Sequence, residues 1–339
     1  MMLLRRTLTG KPWMKYFGSV AGLHIIGIAF LLVTIPHHPA MLGLGVLAYT
    51  LGLRHAFDAD HIVAIDNTVR KLIEQKRDAE GVGFYFSLGH STVVLLLTVG
   101  VVVSMNWVKS NLPMMEQWGG VIGSTVSGLF LLLIGLINLF ILVHMYRIFR
   151  QLKQMPGQEE KLEELLDSRG FIFRLTGPLF KLVGRSWHIY FIGFLFGLGF
   201  DTASEIGLLA MSQNAASSSI SWIGVLSLPI LFASGMSLMD TADGVFMTSS
   251  YQWAFNKPIR KMYYNLTVTA MSVIAALFVA FVEIMQTSAE QFSLEGTFWS
   301  YMQNLDMGSV GYILVILFIL TWSVSYGIWR VFRIEEKWG

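Results

Sequence analysis

The sequence predicts an all-α, polytopic membrane protein with about eight transmembrane helices. Of its 339 residues, 54% are hydrophobic and 14% charged, whereas about a quarter of the residues in ordinary soluble domains are charged. A transmembrane helix needs about 20 mostly apolar residues, and the chain contains eight such stretches separated by polar breaks. Alternating segments of about 10 residues, typical of a membrane β-barrel, do not occur in it.

Each predicted helix is an apolar run bounded by polar or charged residues. The first run follows basic residues as a signal peptide would, but it is about 20 residues long and lacks an Ala-x-Ala cleavage site, which indicates a retained helix. The second, third, fifth and sixth runs carry the buried ionisable residues, whereas the fourth, seventh and eighth are mostly plain apolar spans. In chain order the predicted helices are 16–35, 41–66, 83–105, 119–144, 187–211, 222–247, 263–286 and 309–329.

The longest polar segment divides the chain into two halves of four predicted helices each. Residues 1–145 form the N-terminal half, 146–186 a cytoplasmic loop, and 187–339 the C-terminal half. Within the loop, 158–169 (QEEKLEELLDSR) is predicted to be a surface helix with leucines on one side. We interpret the loop as a solvated linker, with a regulatory or partner-binding role as the alternative.

The basic residues predict the orientation in the membrane. All but Arg54 and Lys109 of the 24 Lys and Arg residues lie before the first predicted helix, after an even-numbered helix or at the end of the chain. Because cytoplasmic loops retain an excess of Lys and Arg, we expect both termini in the cytoplasm.

A weak internal repeat relates the two halves. The segment 57–62 (FDADHI) recurs with one extra residue as 200–206 (FDTASEI), and 87–91 (SLGHS) aligns with 237–241 (SLMDT). In the predicted topology the matched helices run in opposite directions, so the repeat is inverted, an arrangement typical of secondary transporters with a binding site near the membrane midplane. Chance similarity between glycine-rich apolar stretches remains the alternative.

Ionisable residues concentrate in four of the predicted helices. Each costs at least ~2.5 to 3.5 kcal/mol to insert in a bilayer, so such residues persist where they pair with each other, a cavity or an ion. Because the chain has no cysteine, a bound metal would have only nitrogen and oxygen ligands, which suit nickel, cobalt, copper or zinc. The candidate metal ligands are His55, Asp58, Asp60, His61, His90, Asp201, Glu205, Asp240 and Asp243.

The second predicted helix contains the densest group of these ligands. On an unbroken helix His55, Asp58 and His61 fall on an arc of roughly 120°, and His90 of the third helix would lie beside them. Asp60 falls off this arc, which favours a role in orienting a histidine or pairing with Arg54, although unwinding of the helix would change that assignment.

Two further pairs of carboxylates share helix faces, Asp201 with Glu205 and Asp240 with Asp243. Desolvation would drive four unpaired carboxylates to take up protons, whereas a divalent cation would compensate their charge. A purely structural role, in which these acids bond to Ser and Thr hydroxyls between helices, is the alternative.

Four ordered blocks of sequence resemble the NiCoT family of nickel/cobalt permeases. The block 54–62 (RHAFDADHI) resembles the H-x4-D-H signature of that family's second helix, and 86–94 (FSLGHSTVV), 198–208 (LGFDTASEIGL) and 235–247 (GMSLMDTADGVFM) resemble its other conserved blocks. The resemblance implies a permease of the plasma (inner) membrane without enzymatic activity or prosthetic group, with Ni²⁺ or Co²⁺ as transported substrate. It also implies that His55, Asp60 and His61 are required for transport.

The resemblance favours uptake into the cytoplasm, because the family's efflux members carry a His-rich loop that this chain lacks. Three alternatives remain open from the sequence: an efflux permease of the same family, a membrane metalloenzyme with His and Asp ligands, and a structural or sensory membrane protein. The expected partners are the metal ion and the lipid bilayer, with no nucleic acid. A homo-oligomer is a further alternative.

Overall fold

The structure is a computed structural model, which describes residues 12–152, 184–199, 203–218, 220–255 and 258–331. All regular secondary structure in these residues is helical, which confirms the predicted all-α class. The predicted surface helix 158–169 lies outside the described residues.

The described residues form eleven α-helices and one short 3-10 helix. The 3-10 helix spans Ser186–His188 and leads directly into α6. The α-helices are α1 (Met14–Thr34), α2 (Met41–His55), α3 (Ala59–Glu74), α4 (Val82–Val103), α5 (Met105–Leu152), α6 (Ile189–Phe196), α7 (Ala203–Ser217), α8 (Trp222–Phe255), α9 (Pro258–Gln291), α10 (Thr297–Gln303) and α11 (Met307–Val331).

Six helices among the described residues are long and apolar enough to cross a membrane. They are segments of α1, α4, α5, α8, α9 and α11, which correspond to the first, third, fourth, sixth, seventh and eighth predicted helices. Large apolar side chains such as Ile25, Leu32 and Ile274 are exposed on their outer faces. Exposed apolar surface of this extent indicates contact with lipid, so the chain is a multi-pass membrane protein.

The second predicted helix is broken, so the prediction of one continuous helix over 41–66 was wrong. α2 ends at His55, and Asp58 has an extended backbone (ψ 142°) before α3 begins at Ala59. The backbone of α11 packs directly against the bend, because a Cβ added at Gly311 would collide with the carbonyl oxygen of Phe57. Protein packing therefore covers irregular backbone that lipid alone would not tolerate.

The fifth predicted helix, 187–211, is also broken. α6 ends at Phe196, residues 197 and 198 form a turn, and α7 begins at Ala203. Two glycines in three residues weaken a helix by about 1 kcal/mol each relative to alanine. The amide of Gly199 packs against Gly123 of α5, where a Cβ would collide with it.

The centre of the bundle is α3, whose residues from His61 to Arg70 are all buried. α3 packs against α4, α5, α8, α9 and α11, so it is surrounded by protein on every side. It extends to Glu74, eight residues beyond the predicted end at Asp66. Arg70, interpreted from the sequence as a loop residue, is therefore a helical residue that is only 1% exposed.

Candidate metal centre

Three histidines meet at the break between α2 and α3. The ring centroids of His55 and His61 are 4.7 Å apart, those of His55 and His90 are 4.7 Å apart, and those of His61 and His90 are 4.8 Å apart. All three side chains are buried. One ligand nitrogen from each histidine lies within 4.8 Å of the others, which makes the triad a candidate metal centre.

Each histidine comes from a different element, and the bend brings them together. His55 is the last residue of α2, His61 lies in the first turn of α3, and His90 lies in the middle of α4. The ring of His61 packs edge-on against Phe86, with centroids 4.8 Å apart, and the ring of His55 contacts Phe232 of α8. These aromatic contacts restrict the orientations of the buried imidazoles.

A carboxylate contacts each of the three histidines. Asp58 Oδ2 lies 2.8 Å from His55 Nδ1, and Asp240 Oδ2 lies 3.3 Å from His61 Nδ1. Glu205 Oε1 of α7 lies 2.9 Å from His90 Nε2. A carboxylate on one ring nitrogen of a metal-bound histidine fixes its tautomer and increases the basicity of its other nitrogen, so these contacts are of the kind that accompany histidine ligands.

One pair of nitrogens in the triad has a separation that is compatible with binding to a single metal ion. His55 Nε2 and His90 Nε2 are 2.8 Å apart. Two nitrogens at ~2.0–2.1 Å from one metal and at right angles to it are about 3 Å apart. In the described residues His61 Nε2, His90 Nδ1 and Asp240 Oδ1 are buried without a hydrogen-bond partner, so donor atoms remain for an ion.

Within the described residues, the structure brings six of the nine predicted ligands into mutual contact. His55, His61, His90, Asp58, Glu205 and Asp240 form the contacts described above. Asp60 and Asp243 make none of those contacts: Asp60 is half-buried in the first turn of α3, and Asp243 lies one turn beyond Asp240 on α8. Asp201 lies outside the described residues.

The predicted helical arc of His55, Asp58 and His61 was wrong in its geometry, because the helix ends between them. The bend at residues 56–58 nevertheless directs all three side chains to the same place, and Asp58 turns back to bond to His55. Asp58 therefore contacts a histidine, which is the role that the sequence predicted for Asp60.

A charged pair, Arg54 and Asp306, lies close to Asp58, because a Cβ added at Gly308 would meet side-chain atoms of all three residues within 4 Å. Their side chains are 46% and 55% exposed, and Arg54 Nη2 lies 4.0 Å from Asp306 Oδ1. Hydrogen bonds from the hydroxyl and amide of Ser309 lower the pKa of Asp306 below its usual value. Asp306 therefore keeps a negative charge close to Asp58. Because Asp306 lies in a predicted loop, the sequence gave no indication that its side chain is close to Arg54.

Comparison with known proteins identifies the family. A family model for NicO, described as "High-affinity nickel-transport protein", matches residues 41–328. The chain belongs to this family. Membership in NicO confirms the resemblance to nickel/cobalt permeases and agrees with the prediction that the chain is a transporter rather than an enzyme.

Relatives of the chain match it along almost its whole length. The nickel transporter NixA of Staphylococcus aureus is 55% identical over 96% of each chain. The nickel transporter NicT of Mycobacterium tuberculosis is 44% identical over 99% of this chain and 94% of its own. The cobalt transport protein NhlF of Rhodococcus rhodochrous is 38% identical over 90% and 89%. No solved structure shows significant similarity to the chain.

Proposed function

We propose that the chain takes up Ni²⁺ or Co²⁺ into the cytoplasm through the His/Asp site inside its helix bundle. The observation that carries the proposal is the buried triad of His55, His61 and His90, each in contact with a carboxylate. The family membership and the nickel and cobalt transporters among the relatives support this substrate class.

The proposed residue roles follow from the contacts. The ion sheds its water at the entrance beside Asp58 and binds the three imidazoles, while Glu205 and Asp240 contribute negative charge and oxygen atoms. Asp58 bonds to Nδ1 of His55, so Nε2 is the atom of this ring that binds the ion. We assign Asp60, Asp201 and Asp243 to the approach and exit of the ion. Inward opening then exposes the site, and protonation of the imidazoles assists release because only neutral imidazole binds metal.

The proposal includes eight transmembrane helices with both termini in the cytoplasm of a plasma-membrane protein. Six spans are the long apolar helices described above. We assign the remaining two to the broken pairs α2–α3 and α6–α7, because broken helices beside an ion site are common in transporters. An inside-negative membrane potential then favours entry of a divalent ion by ~4.6 kcal/mol per 100 mV.

The proposal also includes the inverted repeat. Gly83 of α4 adjoins the backbone of Asp240, whereas Ser87 further along α4 contacts Ser237 earlier in α8, so α4 and α8 are antiparallel as an inverted repeat requires. Ser87 and Ser237 are equivalent in the sequence repeat, and their hydroxyl oxygens are 2.9 Å apart. Two equivalent residues that contact each other lie on a two-fold axis, so this contact supports a pseudo-two-fold axis between the halves.

The two histidine–carboxylate pairs of the site support the same axis. In the sequence repeat His61 aligns with Glu205, and His90 aligns with Asp240. The pair His61–Asp240 therefore corresponds to the pair Glu205–His90, with the imidazole and the carboxylate exchanged. The N-terminal half contributes both histidines and the C-terminal half both carboxylates, so each pair joins the two halves, which suits a site at the interface of two repeats that rock against each other.

Uptake of radioactive nickel and cobalt into cells expressing the chain tests the proposal. We expect His55→Ala to abolish uptake, and His24→Ala to preserve it, because His24 bonds to Val20 and Tyr49 away from the triad. Retained uptake in His55→Ala would disprove the site. Metal loss from preloaded cells, rather than uptake, would indicate the efflux alternative, and the absence of transport of either metal would disprove the function.

A further inference from the structure

A second buried polar cluster lies further along α3 from the triad. Asp66 Oδ1 accepts a hydrogen bond of 2.5 Å from the Tyr251 hydroxyl of α8, and Oδ2 accepts one of 2.6 Å from the Ser272 hydroxyl of α9. Asp66 comes five residues after His61, about 8 Å along the helix axis. By the proposed topology it lies on the cytoplasmic side of the metal site. Its two hydrogen bonds join α3 to α8 and to α9.

Arg70, one turn beyond Asp66, is a deeply buried cation. It is 1% exposed, and in the described residues none of its three guanidinium nitrogens has a hydrogen-bond partner. Because Arg70 follows Asp66 by four residues on α3, the two side chains lie on the same face of the helix. An Asp and an Arg four residues apart on one helix can pair, and a guanidinium can bind a carboxylate through two parallel hydrogen bonds. Here hydroxyl groups hold Asp66 instead.

We propose that Asp66 is the central residue (the hub) of a latch on the cytoplasmic side of the metal site. Asp66 exchanges its hydrogen-bond partners when the cytoplasmic exit opens. In the closed arrangement Tyr251 and Ser272 bind Asp66 and hold α8 and α9 against α3. When the exit opens these hydroxyls withdraw, and the guanidinium of Arg70 binds Asp66 in their place. The proposal rests on the proposed transport function and adds a residue set that controls access to its site.

The exchange follows from the cost of leaving a carboxylate unpaired in a low-dielectric interior. If α8 and α9 moved away from α3 and nothing replaced their hydroxyls, Asp66 would lose both hydrogen bonds while still buried. Arg70 lies on the same helix as Asp66 and moves with it, so its unused donors remain within reach throughout. Interfaces with two discrete sets of contacts are the usual basis of gating.

The surrounding contacts agree with movement of α8 and α9 relative to α3. Asn138 of α5 donates a hydrogen bond of 2.5 Å to Asn67 of α3, a contact that the exchange leaves intact. Asp243 connects the latch to the metal site, because it follows Asp240 by one turn of α8 and its charge interacts with that of Asp66. An ion leaving Asp240 therefore passes close to the hub.

A single introduced cysteine can report on the latch, because the natural chain has none. Thr248 lies between Asp243 and Tyr251 on α8 and is 1% exposed. We suggest the Thr248→Cys variant in inside-out vesicles with nickel in the lumen. The measurement is the rate at which a membrane-impermeant thiol reagent, added to the cytoplasmic side, labels the introduced thiol.

The latch predicts opposite effects for its two sets of partners. Tyr251→Phe and Ser272→Ala weaken the closed arrangement, so in the Thr248→Cys background we expect labelling to become roughly 10-fold faster, as for loss of a hydrogen bond to a charged group. Arg70→Met removes the partner of the open arrangement, so we expect slower labelling and slower transport. Ser250→Ala is the matched control, because its hydroxyl bonds to Phe246 of its own helix, and it should leave the rate unchanged.

If Tyr251→Phe and Arg70→Met both made labelling faster, the latch would be disproved. A cluster with a purely structural role would loosen on removal of either residue. Unchanged labelling in both variants would overturn it as well. Nickel binding to the purified variants separates this outcome from failure of the transport proposal. Variants that bind nickel like the parent protein but show no change in access disprove the latch alone, whereas a parent protein that binds no nickel disproves the site.

Discussion

At the scale of single residues, the site depends on which atom of each side chain is left for the metal. Asp58 occupies Nδ1 of His55, Asp240 contacts Nδ1 of His61, and Glu205 contacts Nε2 of His90. The first two contacts leave Nε2 directed into the triad, whereas His90 shares its Nε2 between Glu205 and His55. We therefore expect removal of a histidine and removal of a carboxylate to have effects of different size.

The variant Asp58→Asn keeps the shape of the side chain and removes its charge. We expect nickel affinity to fall about 10- to 100-fold, because loss of an outer partner of a metal-bound histidine has an effect of this size. His61→Ala removes a ligand and should have a larger effect. Isothermal titration of the purified variants with nickel measures both. Equal affinities of Asp58→Asn and the parent protein would show that Asp58 does not orient His55.

At the scale of secondary structure, the two broken helices determine where the ligands point. The bend after α2 turns three side chains of one motif toward His90, which a continuous helix would not do. Gly311 of α11 permits the bend, because its lack of a side chain leaves room for the carbonyl of Phe57. The ring of Tyr312 then stacks on Phe57 with centroids 4.9 Å apart. The last transmembrane helix therefore supports the site without contributing a ligand.

Gly311→Ala tests this support. The added methyl group collides with the backbone of Phe57, so we expect a loss of stability of ~1–3 kcal/mol from overpacking, together with weaker nickel binding because the bend must shift. Gly22→Ala in α1 is the matched control, because its Cβ meets no atom within 4 Å. Thermal unfolding in detergent with and without nickel measures both effects. A variant that unfolds and binds nickel like the control would show that α11 does not support the bend.

At the scale of the whole molecule, the bundle is organised around the contact between α4 and α8. Ser87 and Ser237 are fully buried and bonded to each other across that contact. His90 and Asp240 follow them by three residues on their respective helices and belong to the two histidine–carboxylate pairs. If the two halves slide or separate at this contact during transport, fixing it should stop transport while leaving the metal site intact.

A disulfide across this contact tests the motion. In the cysteine-free chain we expect Ser87→Cys combined with Ser237→Cys to form a disulfide under mild oxidation, because the two hydroxyl oxygens are 2.9 Å apart and a disulfide suits side chains at this proximity. Nickel uptake should fall on oxidation and recover on reduction, while each single-cysteine variant should be insensitive to the oxidant. Full uptake by the oxidised double variant would show that the contact does not move during transport.

The sequence by itself determined the all-helical membrane class, the family, and six of the side chains that meet at the site, because apolar run length and buried charge are local properties of the chain. Only the tertiary structure decided that the second and fifth predicted helices are broken, since the breaks depend on the backbones of α11 and α5, which are distant in the sequence. The burial of Arg70 also depends on distant parts of the chain. Because Arg70 precedes Lys71, the sequence indicated a loop at this position, and only packing by helices from the rest of the chain buries the Arg70 side chain.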